Sequence, residues 1–117
     1  MAEPSTIESY HAHVYFDETE REPAKRVREA VEAKFEVEMG RWHEKPVGPH
    51  PRWSYQIKFD PDQFDTLVPW LMLNREGLQI FLHPNTGDDL ADHSTHVTWL
   101  GDSAELDLSI FTKKRAS

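Results

Sequence analysis

The chain has 117 residues, 38% of them apolar and 29% charged, with no cysteine and a formal net charge of -8. That length is one ordinary domain, and it can bury a core without a disulfide or a structural metal. The missing thiol excludes a disulfide framework, a cysteine nucleophile and iron–sulfur or cysteine–zinc sites. The balance of 21 acids against 13 bases argues against general nucleic-acid binding. No apolar run approaches the roughly 18 residues of a membrane span. The opening MAEPSTIES lacks the plan of a signal peptide, and a cysteine-free chain fits a reducing compartment, so the expectation is a cytoplasmic protein. Against this plain background, seven histidines stand out.

Residues 9–16, SYHAHVYF, alternate as a strand. Tyr10, Ala12, Val14 and Phe16 fall on one face, and His11, His13 and Tyr15 on the other. Asp17 to Lys34 reads as a helix, with Pro23 tolerable near its start and a stripe of Ala24, Val27, Ala30 and Val31. Residues 35–41 alternate again, with Phe35, Val37 and Met39 on one side. Three prolines and a glycine in HEKPVGPHP, residues 43–51, forbid regular structure. A third strand covers 52–59, with Trp53, Tyr55, Ile57 and Phe59 inward. Asp60 and Gln63 around Pro61 predict a capping box opening a second helix. Its apolar face is Phe64, Leu67, Val68, Leu71 and Met72; Pro69 should kink it and Gly77 end it. A fourth strand covers 78–83. The polar PNTGDDLADHS follows, and then HVTWL and LDLSIF, either two strands or a helix and a strand. Residues 1–8 and 112–117 read as loose ends.

The order is β-α-β-β-α-β, so the expected class is α+β. The predicted fold is a ferredoxin-like antiparallel sheet with two helices on one face and a short C-terminal extension. It forms one domain over 1–117, with an ordered core of about 8–111. The first and third strands are central, the fourth lies antiparallel beside the first, and the second sheet face has no helix cover.

That topology gathers histidines. Side chains at i and i+2 on a strand are about 6.5–7 Å apart at Cα, close enough for His11 and His13 to reach one ion. The fourth strand ends on the same face at His83. Imidazole suits Fe, Zn, Cu and Ni, and with no thiolate present the donors are nitrogen and oxygen. H-x-H alone is a weak motif, and a single histidine is more simply a surface group. The joint pattern of H-x-H, a third histidine placed by topology, and His50 and His93 in constrained loops points to a metal site. The tryptophans Trp42, Trp53, Trp70 and Trp99 are most simply core or interface residues. Asp92 is a candidate to orient an imidazole.

HAHVYFD (11–17), GRWHEKPVGPHP (40–51), PWLMLNREGL (69–78) and FLHPNTGDDLADHSTHVTWLG (81–101) together resemble the DOPA 4,5-dioxygenase family. The likeness covers about residues 8–110. It implies a ferredoxin-like subunit, usually dimeric, that performs metal-dependent extradiol cleavage of a catechol. It carries His13, His50, His83 and His93 as hallmark histidines. The topology argument favours His11, His13 and His83 as ligands. It makes His50 awkward, because a residue just before the third strand belongs near the far end of the first. Either the loop folds back or a dimer partner supplies that side chain.

The resulting expectation is a dioxygenase acting on a small catechol with dioxygen, with Fe(II), or Zn or another divalent metal, on His11, His13 and His83. His50 and His93 move protons, since imidazole titrates near working pH. Arg41 and Arg75 hold the substrate together with His43, Arg52 being the alternative, since guanidinium is matched to a carboxylate. A homodimer is expected, with no nucleic acid and no membrane. Two other readings stand beside it. One is a metal- or small-aromatic-binding protein without turnover; the other is a metal-free enzyme using histidine as acid and base.

Overall fold

The computed structural model describes residues 7–116, with side chains to Thr112. Its strands and helices are β1 Ser9–Phe16, α1 Arg21–Lys34, β2 Glu38–Met39, β3 Trp53–Phe59 and α2 Phe64–Asn74. They continue with β4 Gln79–Asn85, α3 Asp89–Asp92, β5 Thr98–Leu100 and α4 Ser109–Ala116. The sheet is antiparallel in the order β2-β3-β1-β4-β5. The ferredoxin-like order is therefore present, with β1 and β3 inside, β4 beside β1, and a fifth strand added at the edge.

The period-two pattern sorts the two faces of β1 as expected. Ala12, Val14 and Phe16 join Tyr55, Ile57 and Phe59 of β3 and Ile80 and Leu82 of β4 in one core. Onto it α1 lays Ala24, Val27 and Val31, and α2 lays Leu67, Val68 and Leu71. Burial of each such side chain contributes about 1.5–3 kcal/mol. The α1 start is a capping box of Asp17 and Glu20 around a 3-10 turn, Glu18–Glu20, so the α-helix proper begins later than Asp17. The box predicted at Asp60 and Gln63 is absent. Asp60 makes no side-chain cap bond, and the Gln63 amide donates to the Asp60 carbonyl instead. α2 runs through Pro69 to Asn74; Glu76 and Gly77 then take positive φ values of 54° and 77° and turn the chain into β4.

Four further expectations are corrected. The fourth strand extends past His83 through Pro84 to Asn85, which Pro tolerates because β5 pairs only with Ile80–Leu82 and leaves that end an edge. LDLSIF is not a strand, and α4 carries residues 112–116 of the predicted loose end. Of the predicted loose start, residues 1–6 lie outside the described residues, while the Glu8 amide donates to the Asn85 carbonyl at 3.0 Å. Finally, the second sheet face is partly covered: α3 and α4 bring His93 and Phe111 over β4, and the 43–51 loop brings His50 over β1.

The predicted strand over 35–41 is largely reduced to a two-residue ladder, for a reason that shapes the site. Glu38 and Met39 pair with Lys58 and Ile57, and the Gly40 amide donates to the Gln56 carbonyl at 2.7 Å. The next bridge is His43 to Ser54, so Arg41 and Trp42 together stand opposite Tyr55. One extra residue on one strand is a β-bulge. It turns Trp42 inward, stacked on Tyr55 at 5.6 Å and against Phe16 at 4.4 Å. Arg41 and His43 go to the opposite face. Gly40 sits at the pinch, where an added Cβ would stand 3.1 Å from the Gln56 Cβ.

Candidate metal centre

The ladder between β1 and β4 sets His11 directly opposite His83, and His13 opposite Phe81. Each His11, His13 and His83 ring offers a nitrogen within 4.8 Å of the others. The tightest approach is His13 Nε2 to His83 Nε2, 3.1 Å. Two nitrogens about 2.1 Å from one divalent ion, at right angles, stand about 3 Å apart, so this spacing suits a shared ion. His83 Nδ1 donates to the Pro84 carbonyl at 2.9 Å, which leaves its Nε2 lone pair bare. Among the described residues, the cluster has no carboxylate partner.

Two more imidazoles join. The His50 ring lies 4.2 Å from that of His13, and the His93 ring 4.1 Å from that of His83. His93 Nδ1 donates to the Asp89 carbonyl at 2.7 Å. His50 Nδ1 is 2.7 Å from the Tyr15 hydroxyl. The loop therefore folds back, as one of the two sequence alternatives required. The His50 amide bonds the Val47 carbonyl within the loop, and the Asp107 amide holds the Pro49 carbonyl from outside. Aromatic rings frame the group: Phe81 stacks on His13 at 5.6 Å and on Trp99 at 4.8 Å, and Phe111 stacks on His93 at 4.4 Å.

Burial decides the charge of these rings. Desolvation lowers His13 well below its ordinary value, His83 to about 3, and His50 and His11 to about 4, with neighbouring imidazoles and, for His11, Lys58 adding to the effect. At neutral pH they carry lone pairs rather than charge, which is the state a metal requires. Burial likewise raises the Tyr15 phenol, so it stays protonated.

A cavity of about 210 Å³ opens beside the cluster, lined by His13, Arg41, His43, Val47, His50, Ser54 and Gln56 with Gly40. It is smaller than the roughly 300–1,000 Å³ of drug-sized sites, which suits a single-ring molecule. Arg41 is exposed at this cavity and makes no ion pair among the described residues. The bulge is what delivers it and His43 there.

Of the residues singled out from sequence, the fold thus brings together His11, His13, His50, His83 and His93, with Arg41 and His43 at the adjoining cavity. Arg75 is not brought to this group. Its Nε and Nη1 bond the Leu78 and Met72 carbonyls at the end of α2. Asp92 is buried and does orient an imidazole, but that of His96, at 3.1 Å, while holding the Thr86 amide and hydroxyl. Tyr15, Phe81, Trp99 and Phe111 also belong to the site, beyond the residues that the sequence marks for it. The alternation of β1 and β4 carried the signal for Tyr15 and Phe81.

Known proteins resemble this chain over most of its length. The model of the Dopa 4,5-dioxygenase family matches residues 10–110. A DOPA 4,5-dioxygenase of Amanita muscaria is 34% identical over 114 residues, covering 90% of this chain and 50% of the fungal one. An uncharacterized 21.2 kDa protein of Botryotinia fuckeliana is also 34% identical over 114 residues, covering 87% of this chain and 62% of its own. The chain thus spans about half to three-fifths of the length of these curated relatives. A Nostoc punctiforme crystal structure described as a "putative dioxygenase" is 50% identical, with a TM-score of 0.94, covering 98% of this chain and 99% of that one.

Proposed function

This chain belongs to the DOPA 4,5-dioxygenase family, and on that footing we propose that it is a metal-dependent dioxygenase that cleaves the aromatic ring of a catechol such as DOPA by the extradiol route. The observation that carries the proposal is the double position of His13. Its ring belongs to the three-histidine cluster and also lines the cavity, so a ligand in that cavity touches the metal-holding group.

His11, His13 and His83 would hold the metal, with Fe(II) proposed and Zn or another divalent ion the alternative. When bound, such an ion supplies a Lewis acid that favours the ionised catechol and a centre at which dioxygen is activated. The chain's own residues do the rest. The aromatic frame of Phe81, Trp99 and Phe111 excludes water from the back of the cluster. Arg41, unpaired at the cavity, takes the carboxylate of the substrate side chain, and His43 beside it contacts the polar end. His50 and His93, each in ring contact with a ligand histidine, move protons at the ring oxygens. Arg75, occupied by two carbonyls, serves as a helix cap.

A homodimer and a cytoplasmic location belong to the same proposal. The dimer draws support from the family and from the exposed apolar Phe64, Met72 and Leu73 of α2. No helix among the described residues is long and apolar enough to cross a membrane.

The test is oxygen uptake by anaerobically prepared Fe(II)-loaded protein offered a panel of catechols, with the yellow cleavage product followed by absorbance. Absence of uptake with every catechol refutes the enzyme. Metal and catechol binding without uptake would establish the binding-protein reading in its place.

A further inference from the structure

The five clustered imidazoles do not have the same partners at Nδ1. His83 and His93 face backbone carbonyls, of Pro84 at 2.9 Å and Asp89 at 2.7 Å. A carbonyl only accepts, so both rings must carry their proton on Nδ1 and leave Nε2 bare. His50 faces a phenol instead, the Tyr15 hydroxyl at 2.7 Å. A hydroxyl can donate as well as accept.

We infer that Tyr15 is a positioning residue: it donates to Nδ1 of His50 and fixes the His50 proton on Nε2, so that this ring offers the cavity a hydrogen-bond donor where His83 and His93 keep an Nε2 lone pair. The direction follows from burial. Tyr15 is 0% exposed, and among the described residues its hydroxyl has no partner other than His50. If His50 donated instead, the phenol hydrogen would be sealed in the protein without an acceptor, which folded proteins avoid. Donation by Tyr15 leaves no polar atom of the pair stranded. The phenol ring is also held. It sits on β1 between Ser54 of β3 and Gln79 of β4, edge-on to His50 at 5.5 Å and to Trp99 at 6.0 Å. Among the described residues His50 Nε2 has no hydrogen bond, and the residue lines the cavity.

The consequence is a division of labour within one cluster of like side chains. His83 and His93 carry bare Nε2 atoms, and His50 carries an N–H suited to an anionic oxygen such as a catecholate. The inference rests on the proposed function only for the identity of that oxygen.

The test reads tautomers directly. Histidine-labelled full-length chain is examined by long-range proton–nitrogen-15 NMR near pH 7.5, metal-free and after addition of Zn(II). The expected pattern is Nε2–H for His50 and Nδ1–H for His83 and His93, with Zn(II) shifting His83 Nε2 and leaving the His50 proton in place. In Tyr15→Phe, the His50 nitrogens should move to the average of two exchanging tautomers, while His83 and His93 keep theirs. An Nδ1–H signal for His50 in the unaltered chain, direct Zn(II) ligation of His50, or a Tyr15→Phe spectrum with His50 unmoved would each overturn the inference. Should Tyr15→Phe fail to fold, the unaltered chain alone decides. Because the measurement uses no substrate and no oxygen, a failed oxygen-uptake assay and a wrong His50 tautomer are separate results.

Discussion

Acidification is the sharpest perturbation of this structure, because it charges a cluster that the fold holds neutral. In the unfolded chain a histidine takes up its proton near 6.5. In the folded chain burial keeps His50 down to about 4, His83 to about 3, and His13 well below its usual value. As pH falls below 6.5 the unfolded state therefore binds protons that the folded state refuses, so stability is present at neutral pH and falls on the acid side. The loss levels off only where the folded rings themselves protonate, near 3–4. At pH 5 each unfolded imidazole has gained about 2 kcal/mol from its proton, so His50 and His83 together cost the folded metal-free protein about 4 kcal/mol, and His13 adds to the cost in the same direction. His11, shifted in the same direction but more exposed, is left out of the sum because solvent screens it. A domain of this kind has about 5–15 kcal/mol in total. Urea unfolding of metal-free protein at pH 7 and pH 5, at matched ionic strength, measures the difference. With an m-value of about 1–3 kcal/mol/M, the midpoint should fall by about 1 M or more. Replacing His50 and His83 by Gln should remove about 4 kcal/mol of that dependence. A midpoint that moves by less than about 0.5 M between the two pH values would refute the reasoning.

Other perturbations separate the parts of the site. His83→Ala removes the ring opposite His11, so metal titration should show affinity weakened at least about 100-fold, more than the loss of an outer partner brings. Retained stoichiometric binding would place the metal elsewhere. Arg41→Ala should raise KM for a carboxylate-bearing catechol about 10-fold with kcat little changed, the signature of lost uniform binding. Arg75→Ala, by contrast, should leave KM alone and lower stability by about 1 kcal/mol through the lost helix-end bonds. Gly40→Ala forces a Cβ to 3.1 Å from that of Gln56. It should cost about 1–3 kcal/mol in a denaturant melt, and an unchanged melt would mean that the bulge is not pinched as described.

Much of this site was already legible in the alternation of β1 and β4. A side-chain period of two put His11, His13 and Tyr15 on one face, and the β-α-β-β-α-β order made β4 the antiparallel neighbour of β1. From those two facts His83 had to approach His11. The apolar faces of α1 and α2 were equally plain, because burial against a sheet demands a stripe at helical spacing. The tertiary structure alone placed His50, since a loop with three prolines has no period from which a direction can be read. It alone made Arg41 and His43 neighbours of the cavity. Strict alternation after Met39 would have sent both toward the core, and the bulge opposite Tyr55 reverses them. The short α3 and α4, which bring His93 and Phe111 over the sheet, carry too few residues to show a helical period, so packing rather than local pattern decides them. The seven histidines in a cysteine-free chain announced imidazole chemistry. Which nitrogen each ring leaves bare depends on the carbonyl or hydroxyl that the folded backbone sets against it, and no spacing in the sequence encodes that.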